Sequence, residues 1–241
     1  MLDDMRVLQD AVQAYRAAAS ATGVPWPENG DRNGGLLLDA LCRIFDVDHI
    51  AEQPLWLMSQ GLPYERVLPD GGFPLQWTDA SELLDYLSAS VGTPFHWRHQ
   101  LPLFRFEHIV YTFVLAGDHE GEIWRYQIDP DDWNPLRAAP SLAALFTHWT
   151  KGFGADLYVR SPYDSWLHVG DGERDPVDVL LESATDLDPF AFPVFLSLYS
   201  HEDVIRARQR ECGVDTDRVD QFDCHEELLD AISAAGASLR G

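Results

Sequence analysis

Apolar residues near the start of the chain recur at spacings of three and four: Met5, Leu8, Val12 and Tyr15. That period puts them on one face of a helix. Asp3 and Asp4 stand where a helix N-terminus favours negative charge, and Gly23 with Pro25 closes the segment. Turn residues follow at Asn29-Gly30 and Asn33-Gly34-Gly35. A second helix is predicted over Leu37–Phe45, carried by Leu37, Leu38, Leu41, Ile44 and Phe45. The Pro- and Gly-rich stretch Gly61–Pro74 reads as loop. Asp79 and Glu82 make a capping-box pair ahead of a third helix, whose buried face is Leu83, Leu84, Leu87 and Val91.

The period then changes. Ile109–Leu115 is β-branched and aromatic, and Ile123–Ile128 alternates, with Trp124, Tyr126 and Ile128 opposite Arg125 and Gln127. Both runs read as strands, and the polar link Gly117–Gly121 makes them an antiparallel hairpin at the centre of a sheet. Asp129–Pro135 is a turn by composition. Ser141 caps a helix with Leu142, Leu145, Phe146 and Trp149 inward, and Gly152 and Gly154 are expected to stop it. Short strands are expected at 156–160 and 166–169, then a helix with Asp175 as N-cap and Pro176 first, carrying Val177, Leu180 and Leu181. Phe192–Tyr199 reads as a strand, followed by helices starting at Ser200 and at Asp223.

These elements predict an α+β fold: a mixed, mainly antiparallel sheet with packed helices and a C-terminal α/β extension. Residues 1–188 form the main domain. Residues 189–241 form an appended strand-helix-helix unit packed on it, because the roughly 45 residues of its 192–235 stretch cannot hold an independent core.

Composition narrows the function. Forty Asp and Glu stand against 17 Lys and Arg, a formal net charge of −23. Such a surface repels phosphate backbones and anionic lipid and speeds encounter with basic proteins. Acidity for solubility alone is the plainer reading of the same number. A hydrophobic content of 46% with 12% aromatics is that of a globular chain. Cys42, Cys212 and Cys224 are too few for a disulfide framework and lack the CxxC spacing of a structural zinc. No apolar run approaches the ~18 residues that span a bilayer. Without a basic-then-apolar leader at Met1–Met5, the expectation is a soluble cytoplasmic protein.

Candidate chemistry is sparse. His96 and His99, with His108 nearby, have a metal-like spacing, but Pro94 and Pro102 bracket them and disfavour a helix. Asp118-His119-Glu120 sits at a hairpin tip, where solvent keeps pKa values ordinary. Cys224 and His225 are adjacent and do not face each other on a helix. Gly170-Asp171-Gly172-Glu173 lacks the cation of a phosphate cradle. Neither a metal nor a cofactor is expected. The candidate binding residues are Asp129, Asp131, Asp132 and Trp133: three carboxylates beside an aromatic anchor, a combination that selects a basic partner.

A further pattern runs from about Leu101 to Gly152: the apolar strand Ile109-Val110-Tyr111-Thr112-Phe113, then Gly121-Glu122-Ile123-Trp124-Arg125-Tyr126, then Asp129-Pro130, then Ser141-Leu142-Ala143-Ala144-Leu145-Phe146. Together with Asn33-Gly34-Gly35 it resembles the SMI1/KNR4 family, also called the SUKH superfamily. The resemblance implies an α+β fold and an immunity protein or antitoxin that neutralises a toxin, often a basic nuclease. Two other readings remain open: an enzyme of unknown reaction with a carboxylate/histidine site, and a regulatory scaffold.

Overall fold

The computed structural model describes residues 2–23, 34–60, 83–84, 87–88, 90–106, 108–128, 135–160, 167–170, 173–183, 186–215 and 222–239. Helices α1 (Leu2–Ala21), α2 (Gly34–Phe45) and α3 (Glu52–Ser59) come first, then a 3-10 turn at Trp97–His99. Strands β1 (Gln100–Phe106), β2 (Ile109–Val114), β3 (Ile123–Gln127) and β4 (Leu136–Ala139) follow, then helix α4 (Leu142–Gly154). A ribbon of β5 (Tyr158–Arg160) and β6 (Leu167–Val169) leads to α5 (Pro176–Ser183), a 3-10 turn at Pro189–Ala191, α6 (Leu198–Glu211) and α7 (Phe222–Leu239). The fold is α+β, as the periodicity predicts.

Strands β1 to β4 pair antiparallel in chain order, so β2 and β3 hold the sheet centre. Ile109 pairs with Gln127 and Thr112 with Trp124. The expected hairpin is therefore present, and every residue of both strands is buried. Ile109, Tyr111, Phe113 and Ile123 enter the main core. Val114, Trp124 and Tyr126 instead cluster with Cys212 on the other face, with Phe95 and Val214 packed against them. Gly117 and Gly121, at φ 89° and 87°, supply the left-handed turns that reverse the chain.

Helix α4 starts where Ser141 accepts the Ala144 N–H at 3.1 Å, and Leu142, Leu145, Phe146 and Trp149 are buried as predicted. Helix α1 lies along it, with the Tyr15 ring 5.3 Å from Phe146 and 5.7 Å from Trp149. Gly152 does not stop α4, which continues to Gly154. Its lack of a Cβ makes room for Tyr158, whose hydroxyl donates to the Trp149 carbonyl at 2.9 Å. Asp175 caps α5 by accepting the Val177 N–H at 2.8 Å, and Val177 and Leu180 are buried. Leu83, Leu84 and Leu87 are helical; Asp79 and Glu82 lie outside the described residues. One buried cluster draws residues from Leu8 in α1 to Ala235 in α7.

Two differences from the sequence reading have physical causes. Strand β1 contains Pro102, which signals against a central strand but is tolerated at a sheet edge, where β1 lies beside a register shift between Pro102 and Phe104. Phe192–Tyr199 is not a strand. Residues 192–197 are irregular, and α6 begins at Leu198, capped by Ser197, not at Ser200. Pro193 removes a donor from this stretch, and its main chain is bonded by side chains from β3 instead of by a neighbouring strand. The C-terminal unit is thus an irregular strap followed by two helices, without the expected strand.

Candidate functional site

The side chains that hold the strap are Arg125 and Gln127, the polar positions of the alternating β3 run. Arg125 is fully buried. Its guanidinium donates to the carbonyls of Phe192 at 2.7 Å and Val194 at 2.6 Å, and to Gln127 Oε1 at 3.2 Å. Gln127 in turn accepts the Leu196 N–H at 2.6 Å and donates to the Leu196 carbonyl at 2.9 Å. Burial lowers the Arg125 pKa, opposed by Tyr111 and Asp188. The strap therefore lies on the inner sheet face with Phe192, Val194 and Leu196 buried and Phe195 turned out.

A second polar system crosses the surface of the fold. Glu122, at the end of the hairpin turn, lies 2.9 Å from His119 Nδ1 and accepts from Trp124 Nε1 at 2.9 Å and Arg137 at 3.1 Å. Arg137 continues to Glu211 at 2.9 Å, Glu211 to Arg208 at 3.3 Å, and Arg208 binds both Asp188 oxygens at 3.0 and 2.9 Å. The Asp188 N–H donates to His148 Nδ1 at 3.3 Å. Burial lowers the His148 pKa, and its acceptor role requires the neutral ring. Near α7, Arg98 donates to the Ile44 carbonyl at 2.9 Å and pairs with Glu227 at 3.2 Å.

The consequence is electrostatic. Arg98, Arg125, Arg137 and Arg208 are each held by the chain's own carbonyls or carboxylates. Meanwhile Asp10, Asp39, Asp46, Asp48, Asp118 and Glu120 are exposed. These four arginines are thus taken up within the fold while those carboxylates face outward, although Arg6, Arg43, Lys151, Arg174 and Arg210 are exposed as well.

The sequence candidates fare unevenly. Asp129, Asp131, Asp132 and Trp133 lie outside the described residues. His96 accepts the Arg98 N–H at 3.2 Å and its ring lies 6.4 Å from that of His99, so the pair does not converge on one point. Asp118 and Glu120 are exposed, while His119 turns away from them to Glu122. Gly170 is described but Asp171 and Gly172 are not. Among the described residues, no group of three or more His, Cys, Asp or Glu is placed to hold a metal ion. Nor is any helix among them long and apolar enough to cross a membrane.

Two open cavities are lined by described residues. One of about 400 Å³ lies between α1 and α3, bounded by Gln9, Gln13, Arg16, Trp56 and Gln60. The other, of about 430 Å³, runs along α6 beside the Pro189–Ala191 turn, with Phe190, Val204 and Ala207 as its apolar surface and Asp203, Arg208 and Glu211 at its edges. Sequence reading missed this groove because its two sides come from separate elements. An apolar-then-acidic repeat along α6 (Val204, Ala207, Glu211) was the available signal. No family model, curated protein or solved structure matches the chain.

Proposed function

We propose that this chain is an acidic binding protein that captures a basic protein, acting as an SMI1/KNR4-type immunity protein or antitoxin toward a nuclease-like toxin. The observation that carries this reading is the net charge of −23, in a chain where Arg98, Arg125, Arg137 and Arg208 are already taken up by its own carbonyls and carboxylates. A field of uncompensated surface carboxylates steers cationic partners and raises their on-rate. The acidic segment Asp129, Asp131 and Asp132, with Trp133 as an anchor, is the first contact proposed. The test is association with a panel of basic nuclease domains. Binding is expected to inhibit the nuclease, and the on-rate to fall between about 50 and about 500 mM salt, as the Debye length shrinks toward ~4 Å. Replacing the three aspartates with Asn slows association, whereas Trp133→Ala speeds dissociation by ~1–3 kcal/mol. Binding that is insensitive to salt, or no stronger for basic than for acidic proteins, would overturn the reading.

A further inference from the structure

We infer that the cavity between α1 and α3 is a binding site for an uncharged saccharide. The site is independent of the basic-partner reading above and uses a different part of the surface.

Sequence spacing sets its walls. Gln9, Gln13 and Arg16 recur at intervals of four and three on α1, which stacks them along one stripe. Trp56 and Gln60 repeat the interval of four at the end of α3. Each wall is anchored by core residues next to it in sequence: Leu8 and Val12 in α1 and Leu57 in α3 are almost fully buried. The two stripes border about 400 Å³ on backbones already fixed by the core, within the ~300–1,000 Å³ of small-molecule sites. Those backbones need no further ordering when a ligand arrives.

Chemistry narrows the ligand. None of the described residues lining the cavity is Asp or Glu, although the chain holds 40 of them. A cation therefore finds no counter-charge there. A multiply charged anion is opposed by the net charge of −23, against a single lining arginine. A wholly apolar ligand would strip water from the carboxamides and offer them no bond in return. What fits is a neutral molecule rich in hydrogen-bonding groups.

The walls have that capacity to spare. Among the described residues, neither the Gln9 nor the Gln13 side chain has a hydrogen-bond partner. The Gln60 amide nitrogen donates to Ser59 Oγ at 3.1 Å, and Ser59 Oγ donates to the Trp56 carbonyl at 2.7 Å. This ties Gln60 back to Trp56 and leaves Gln60 Oε1 to accept. A carboxamide both donates and accepts, as does a hydroxyl, so the two pair in either sense. Trp56 is half-buried, packed on the core while also lining the cavity. The negative face of an indole attracts weakly positive C–H groups. A sugar ring carries both features, with C–H bonds on a face and hydroxyls around its edge.

The test titrates the full chain with three neutral disaccharides (maltose, cellobiose and N,N′-diacetylchitobiose), with adenosine and glucuronate as controls. Binding is read by saturation-transfer NMR and by amide shifts. At least one disaccharide is expected to bind with a Kd of about 1 mM, and neither control to compete with it. Gln9→Ala combined with Gln13→Ala, both at exposed helix positions, should weaken binding about tenfold, since two hydrogen bonds are lost. Trp56→Leu should weaken it by a similar factor. Shifts should concentrate at 9–16 and 56–60. Failure of all three disaccharides to bind, equal binding by wild type and the double glutamine variant, or shifts elsewhere on the chain would overturn the site. Preferential binding of adenosine or glucuronate would mark another ligand class and would also overturn the proposal.

Discussion

Replacing Arg125 with methionine isolates the hydrogen bonding of the strap from the filling of space. The methionine side chain occupies much of the same channel, so the added cavity is small. What it removes is the donor set for two buried main-chain carbonyls, Phe192 at 2.7 Å and Val194 at 2.6 Å, and one of the bonds to Gln127 Oε1. Gln127 Oε1 keeps its bond from the Leu196 N–H and the Phe192 carbonyl keeps the Val194 N–H at 2.9 Å, so the Val194 carbonyl is the acceptor left stranded. Each buried acceptor left without a donor costs ~1–3 kcal/mol. Relief from burying the charged guanidinium works the other way, since desolvation already disfavours that charge. The net expectation is a loss of ~1–3 kcal/mol for Arg125→Met. Arg125→Ala adds a cavity and should lose a further ~1–3 kcal/mol. Urea unfolding midpoints at constant slope measure the difference, and amide exchange at Leu196 reports whether the strap has lifted. A methionine variant within ~0.5 kcal/mol of wild type, with Leu196 still protected, would refute the view that these bonds hold the strap.

Two further predictions concern α4. In Gly152→Ala the new Cβ would sit 2.6 Å from the Tyr158 hydroxyl oxygen and 2.7 Å from its Cζ. The helix-propensity gain of ~1 kcal/mol is outweighed by overpacking and by losing the Tyr158 bond to Trp149, so the thermal midpoint falls; a higher midpoint would contradict the close approach. His148 has a folded pKa below its ordinary value because burial disfavours its charge beside Asp188, Lys151, Asp186 and Arg208. The unfolded chain therefore takes up the proton first, and this contribution to stability is present above pH ~6.5 and is lost as pH falls toward the folded pKa. His148→Gln should flatten the stability profile below that pH relative to wild type, and unchanged slopes would remove His148 from the account.

What the sequence made legible was whatever repeats locally. The β2–β3 hairpin follows from apolar alternation, and α4 from its Ser141 cap and the Leu142, Leu145, Phe146, Trp149 stripe. Strand β4, Leu136–Ala139, was hidden by helix-favouring residues, its pairing with β3 being a tertiary matter. Phe192–Tyr199 has the composition of a strand, and nothing local reveals that β3 side chains satisfy its main chain. The ion-pair system through Glu122, Arg137, Glu211, Arg208 and Asp188 was invisible for the same reason: its members come from the hairpin turn, β4, α6 and the turn before the strap. Of the candidate site, the charge was legible as a total but not as a distribution, since that depends on which arginines turn inward.

The bonds from Arg125 to the strap span 67 and 69 residues of chain. At a synthesis rate of ~5–20 residues per second, several seconds separate the appearance of β3 from that of its covering segment. During that interval the inner face of the hairpin carries a guanidinium whose acceptors have not yet been made. A hydrated charge there resists burial against whatever apolar surface arrives first. The same arginine that later pins Phe192 and Val194 therefore keeps the growing sheet open until the correct cover has left the ribosome.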